Sequence, residues 1–251
     1  VFIDLLVLIN IELKKIGAPK DLIQTFDCDV TKELTNELMK NVDLVIVTGS
    51  LNNVREASKS GTKAIGVGQG NVTSIIDETA DLQDAFKKIK MSKIFDNATS
   101  CSSENNLILI EDIYKKTIDL LSKENAVLLS GNQKNILKKN LWINGKLNRK
   151  IIAKSAKFIS NELNLEVNKN VQILMVEEHG VGPNYLFSGE KLSPVLTVYK
   201  VKNFKEAKEL AKKILNYQGI GHSVGIHTKK DERIIELGLD LPVCRVIVNQ
   251  A

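Results

Sequence analysis

The sequence predicts an α/β fold, and three observations carry that expectation. Residues 43–48, Asp-Leu-Val-Ile-Val-Thr, form an uninterrupted apolar strand ending at Gly49-Ser50. A strand apolar on both faces belongs in a parallel sheet covered on both sides. Segments with helical periodicity alternate with such strands along the chain, and strand–helix–strand in this rhythm is the βαβ unit.

Taken in order, Leu5, Leu8, Ile9 and Leu13 recur at helical spacing and stop at Gly17-Ala18-Pro19, a helix-ending glycine with a proline beyond it. The apolar opening, residues 1–9, lacks a basic leader and a small-residue cleavage site, so it reads as the start of a buried helix and not as a signal peptide. Residues 22–26 are a short strand candidate. Residues 31–39 predict an amphipathic helix with Thr31 as N-cap and Leu34 and Leu38 on one face. A short helix at 53–60 and a strand at 63–67 follow. Residues 75–94 read as mostly helical, with Leu82, Phe86 and Ile89 on one side. A polar loop then leads to a strand at 106–110 and a helix at 112–122. Residues 146–162 are helix-rich. Strands are expected at 171–176, 195–201, 223–227 and 244–248, with an amphipathic helix at 204–215.

Composition narrows the function classes. The chain has 251 residues, 43% hydrophobic and 26% charged, which is enough for a packed core. Its formal charge is +5, but the lysines interleave with Glu and Asp and no dense basic run carries aromatics, so a nucleic-acid partner is not expected. Cys28, Cys101 and Cys244 are odd in number and far apart, without a CxxC pair. Neither a disulfide framework nor a metal site is suggested, and a reducing cytoplasm fits. No stretch reaches the length of a membrane-spanning helix. The sequence starts without Met inside an apolar segment and ends in the strand-like run 246–251, so it reads as a piece of a longer protein.

Two segments carry chemistry of their own. Cys101 lies in the small, polar stretch Asn97-Ala98-Thr99-Ser100-Cys101-Ser102-Ser103-Glu104-Asn105. A thiol on such a loop is accessible, and an accessible thiolate is a nucleophile. Gly66-Val67-Gly68-Gln69-Gly70-Asn71 follows a strand, but its G-x-G-x-G spacing differs from the dinucleotide fingerprint G-x-G-x-x-G. On residues alone it is a tight turn using glycine freedom.

The loop at Phe95-Asp96-Asn97-Ala98-Thr99-Ser100-Cys101 resembles the nucleophile loop of CoA-acylating aldehyde dehydrogenases. Four further segments resemble that family in its order: Ala64 to Asn71, Val47-Thr48-Gly49-Ser50, Glu190 to Val195, and Gly219 to His227 with the run at 241–250. The wording leans toward the members acting on sulfoacetaldehyde, with those acting on succinate semialdehyde next. The resemblance implies a partial Rossmann-like cofactor domain at residues 1–72 and an α/β catalytic domain at 73–251 that lacks its C-terminal end. It implies Cys101 as nucleophile and His222 as a proton acceptor, with His227 the weaker candidate. Thr48, Gly49 and Ser50 would lie near the cofactor phosphates, and Glu190 would hydrogen-bond the nicotinamide ribose. Hydrolytic members place a glutamate where Gly66 stands; without that base a thioester waits for a stronger nucleophile, coenzyme A. The implied cofactor is NAD or NADP, the implied partners are a small aldehyde and coenzyme A, and the complete protein would be a homo-oligomer. The alternatives are a hydrolytic aldehyde dehydrogenase and a catalytically silent scaffold subunit. Cys244 is expected to serve packing.

Overall fold

The computed structural model describes residues 2–49 and 51–251. Contacts divide them into one unit from Val1–Val47 and Arg55–Gly66, and a second from Thr48–Val54 and Val67–Ala251.

The first unit takes its elements from α1 (Phe2–Lys15), α2 (Lys32–Lys40), β1 (Val45–Thr48), α3 (Leu51–Lys59) and β2 (Ala64–Val67). β1 pairs with β2, and the Val45 N–H donates to the Lys63 carbonyl at 2.9 Å. Thr31 caps α2 as its position predicts, accepting the Leu34 N–H at 3.1 Å. Met39, Val45 and Ala57 form a small core. Two expectations are corrected here. The helix of residues 2–15 forms, but it buries none of its residues, because no second layer among the described residues covers its apolar side. The segment 22–26 forms no strand. Asp21 adopts φ 62° and its carbonyl accepts the Gln24 side chain at 2.9 Å, so local turn bonding replaces strand pairing.

The second unit is built on a parallel sheet. In chain order come β3 (Val72–Ile76), α4 (Leu82–Ile94), β4 (Glu104–Ile110), α5 (Glu111–Lys123), β5 (Ala126–Leu128), α6 (Gly131–Leu141) and the hairpin β6 (Trp142–Ile143) with β7 (Lys146–Leu147). They are followed by α7 (Ala156–Glu162), β8 (Ile173–Glu177), β9 (Val195–Val201), α8 (Phe204–Tyr217), β10 (Ser223–His227), α9 (Asp231–Asp240) and β11 (Arg245–Val248). The seven-stranded order is β11-β10-β3-β4-β9-β8-β5, and the neighbours run parallel. β3, β4 and β10 are buried at every position, as strands covered on both faces must be. Because the strands are parallel, the segments entering β3, β4, β9, β10 and β11 all arrive at one edge of the sheet.

Two helix expectations are corrected in this unit. Within 75–94, Ile75 and Ile76 close β3, and the helix starts only at Leu82, where the Asp81 side chain caps the Asp84 N–H at 3.1 Å. Within 146–162 only Ala156–Glu162 is helical. Lys146 and Leu147 pair back across Asn144-Gly145, whose φ values of 50° and 73° make the left-handed two-residue turn that Asn-Gly favours. No helix of the described residues is long and apolar enough to cross a membrane.

Candidate active site

Cys101 sits between α4 and β4 on a loop that is bent sharply before it reaches the thiol. Asp96, Asn97 and Ala98 hold φ of 47°, 50° and 58°, a left-handed run that side-chain-bearing residues seldom adopt. Local bonds hold this turn. The Thr99 hydroxyl donates to the Asp96 carbonyl at 2.7 Å and to its carboxylate at 2.8 Å, and the Asn97 amide donates to the Ala153 carbonyl at 3.0 Å. The Ser103 N–H returns to the Ser100 carbonyl at 3.0 Å, so Cys101 stands at the tip of a turn with its side chain exposed.

Gly70, two residues ahead of β3, forms the floor under that tip. A Cβ built on Gly70 would stand 2.3 Å from the Cys101 carbonyl oxygen and 2.9 Å from the Cys101 Cβ. No side chain fits there. Of the glycines in the 66–71 loop, Gly70 is therefore the one pressed against the thiol-bearing residue, whereas Gly66 lies in β2 of the first unit. A Cβ at Gly68 would meet the Leu51 side chain at 2.9 Å, which places the start of α3 beside the same loop.

Glu190 reaches this floor from the turn before β9. Its side chain is buried. Burial pushes the carboxyl above its ordinary value, while Gln69, Lys191, the Gly70 N–H and Lys93 pull it back down. The turn is fixed at two further points: the Glu190 N–H donates to the Gln218 side chain at 2.9 Å, and the Lys191 N–H donates to Asn105 Oδ1 at 2.9 Å. The second bond ties Glu190 to the residues just after Cys101.

Asparagines stitch the strand entrances together beneath the loop. Asn71 donates to the Ser188 carbonyl at 2.9 Å and the Gln218 carbonyl at 3.2 Å, and Asn106 donates to Asn71 Oδ1 at 2.9 Å. Both are fully buried, so these bonds replace water outright. The sequence reading passed over Asn71, Asn106 and Gly70. No local cue marks them, because each acts through a residue that the parallel sheet brings close.

His222 enters β10 at the level of Asn71, since Val224 pairs with Thr73. β3 separates β10 from β4, which puts the two strand axes roughly 10 Å apart. No hydrogen bond joins His222 to Cys101 among the described residues. The imidazole is buried, and its Nδ1 has no hydrogen-bond partner. Burial lowers its pKa and the nearby Arg245 guanidinium lowers it further, so it stands neutral and able to take a proton near pH 7. Its backbone carbonyl accepts both the N–H and the thiol of Cys244 at 2.9 Å. Cys244 is thus exposed and hydrogen-bonded, contrary to the packing role expected of it.

His227 ends β10 at the opposite sheet edge, roughly 16 Å from His222 along the strand. There its carbonyl accepts the Asp77 N–H at 3.2 Å, close to the buried Asp77 carboxylate that holds Thr79, Thr228 and Arg233. His227 is remote from the thiol.

Thr48 and Gly49 are exposed at the end of β1, with Gly49 at φ 114°, and α3 begins at Leu51. Ser50, the third residue expected there, lies outside the described residues.

The chain matches the family model described as "Aldehyde dehydrogenase family" over residues 5–174. It is 47% identical to a sulfoacetaldehyde dehydrogenase (acylating) of Cupriavidus necator, over 98% of this chain and 50% of the relative. It is 36% identical to a succinate-semialdehyde dehydrogenase (acetylating) of Clostridium kluyveri, over 97% of this chain and 54% of the relative. Among solved structures, an acetylating aldehyde dehydrogenase from Geobacillus thermoglucosidasius superposes with a TM-score of 0.92 at 39% identity, covering 96% of this chain and 54% of that one. The chain spans about half the length of the curated relatives it matches. A parallel sheet with a cysteine-bearing loop at its entering edge, and a family model matching from α1 into β8, lead to one assignment: the chain belongs to the aldehyde dehydrogenase family.

Proposed function

We propose that the chain carries the thiol centre of a CoA-acylating aldehyde dehydrogenase that converts sulfoacetaldehyde to its acyl-CoA with NAD(P)+. One observation carries the reading: Cys101 stands exposed on a strained loop pressed against Gly70, at a point where no side chain fits. The identity to an acylating sulfoacetaldehyde dehydrogenase supports the substrate class, and the similarity to a succinate-semialdehyde enzyme makes a second small anionic aldehyde the alternative.

The residues fit a nicotinamide cofactor in two places. Thr48 and Gly49, exposed at the end of β1 just before α3, would lie toward the cofactor phosphates, and the buried Glu190 carboxylate would accept from ribose hydroxyls. When bound, NAD(P)+ supplies the hydride acceptor. Cys101 Sγ, as thiolate, bonds to the aldehyde carbon and gives a thiohemiacetal, whose oxyanion faces the Cys101 backbone N–H. Loss of hydride from that carbon leaves a thioester on Sγ. The CoA thiol gives its proton to neutral His222 and attacks the thioester carbon, and Sγ leaves as thiolate.

We assign residues 1–72 to the end of a cofactor domain and residues 73–251 to the catalytic domain. The division of contacts at Gly66–Val67 supports this, with the segment Thr48–Val54 grouping with the catalytic side.

Trapping tests the reading. The full-length natural protein is incubated with sulfoacetaldehyde and NAD(P)+ but no CoA, quenched in acid and digested. The acyl mass should sit on the peptide holding Cys101 and disappear when CoA is added before the quench. Release of free sulfoacetate with an unmodified Cys101 peptide would sink the acylating reading.

A further inference from the structure

Lys191 is fully buried, a place that lysine almost never takes. Its side chain folds back along its own turn: Nζ donates to the Phe187 carbonyl and to the Gly189 carbonyl, each at 2.7 Å. Burial pulls the ammonium well below its ordinary pKa. Both bonds survive loss of the charge, because an uncharged amine keeps two N–H donors, the number that the two carbonyls take. Lys93 on α4, also buried, donates to the Glu104 carbonyl at 2.7 Å.

The consequence falls on Glu190, which stands between Gly189 and Lys191. Each peptide unit is a rigid plane. The plane entering Glu190 is held at both ends, its Gly189 oxygen by Lys191 Nζ at 2.7 Å and its Glu190 N–H by Gln218 Oε1 at 2.9 Å. The plane leaving Glu190 is held at the Lys191 N–H, which donates to Asn105 Oδ1 at 2.9 Å. With both planes held, φ and ψ of Glu190 are held, and with them the direction in which its side chain leaves the backbone. The carbonyls just before are taken as well: Thr197 Oγ1 donates to that of Phe187 at 2.6 Å, and the Asn71 amide to that of Ser188 at 2.9 Å.

We propose that Lys191 is a positioning residue for the cofactor: its amine clamps the turn of residues 187–191, so that Glu190 presents its carboxylate to the nicotinamide ribose in one fixed direction. The proposal rests on the reading of Glu190 as a cofactor-binding group. Lys191 acts on the backbone, and its effect on the cofactor passes through Glu190. A turn freed from the clamp must be ordered when the cofactor binds, and that ordering lowers affinity. Thr197 supplies the contrast, because its hydroxyl bonds the Phe187 carbonyl and neither plane that bounds Glu190.

Calorimetric NAD(P)+ binding to the full-length natural protein tests this on wild type, Lys191→Met, Lys191→Gln, Thr197→Val, Glu190→Gln and the double variant Lys191→Met with Glu190→Gln, with thermal unfolding alongside. Glu190→Gln should weaken binding about tenfold, the size of one charge-assisted bond. Lys191→Met should weaken it by a similar factor, about tenfold. Lys191→Gln, whose amide nitrogen ends one bond short of Nζ, is the second variant and should behave like Lys191→Met. The double variant should bind no more weakly than Glu190→Gln, because the clamp then has no carboxylate to aim. Thr197→Val should lower the unfolding temperature and keep wild-type binding. Wild-type binding in the Lys191 variants, or a double variant weakened by the full product of the two single effects, overturns the role of Lys191 and leaves the reading of Glu190 standing. Equal weakening in Thr197→Val makes the effect a general loosening of the core and overturns the proposal. Wild-type binding in Glu190→Gln overturns the reading of Glu190 and the proposal with it. If neither Lys191 variant folds, the lysine serves the fold and not the cofactor, and the proposal is overturned.

Discussion

Gly70 and Cys101 touch through their backbones: a Cβ on Gly70 would lie 2.3 Å from the Cys101 carbonyl oxygen. The glycine-rich turn entering β3 and the thiol loop entering β4 are thus one structure, although 31 positions separate the two residues in the chain. This contact accounts for the last glycine of the G-x-G-x-G sequence.

Gly70→Ala should cost activity far more than stability. The methyl collides with backbone, which cannot swing aside as a flexible side chain could. A displacement of the thiol by about 1 Å is expected to lower kcat roughly 100-fold, while unfolding free energy falls by about 1–3 kcal/mol. Gly131→Ala is the control, because nothing stands within 4 Å of its Cβ position. It should leave both unchanged. Steady-state kinetics and denaturant melts on the two variants check the contrast, and a fully active Gly70→Ala would deny Gly70 its bracing role.

His222→Asn should separate the two half-reactions. The backbone bonds of His222 to Gly219 and Cys244 do not depend on the imidazole, so the local fold survives. The first turnover, ending in a thioester on Cys101, should keep its rate in a rapid-mixing experiment. The following CoA-dependent phase should slow by roughly 100-fold, the usual worth of a positioned base. Equal slowing of both phases would place His222 elsewhere in the mechanism.

Stability should fall on mild acidification because of His227. Burial pulls this imidazole down to about 4 from its ordinary 6.5, and Lys88 adds to the effect. Below pH 6.5 the unfolded chain takes up a proton that the fold refuses, so stability is complete above that pH and declines until about pH 4. The full loss is about 3 kcal/mol. Urea melts across this range should show the decline in wild type and a flatter profile in His227→Phe. An unchanged profile in the variant would remove His227 as the cause.

The strands at 195–201 and 223–227 were readable from sequence and lie in the buried parallel sheet, whereas 43–48, a continuous apolar run expected to be covered on both faces, forms β1 of a two-stranded sheet with Ile46 exposed. β3 was not readable: Thr73 and Ser74 interrupt its apolar run, and the helical stripe of α4 starts soon after and claims its last residues. The hairpin at 142–147 was signalled by Asn144-Gly145, and α6 by the capping box of Ser130 and Gln133, both short-range cues outweighed by charged flanks. At the site, Cys101 was legible as a thiol among small polar residues. The buried partners Gly70, Asn71, Asn106 and Lys93 were not, since each acts through a residue brought close only by the parallel sheet. His222 and Glu190 were reached by resemblance, and the structure buries both.

The most direct test follows NAD(P)H formation from sulfoacetaldehyde by the full-length natural protein, with and without CoA, for wild type and Cys101→Ala. The account predicts steady turnover only when CoA is present, and a loss of roughly 1,000-fold or more in the variant, as for other enzymes stripped of their nucleophile. Sustained turnover without CoA would contradict it.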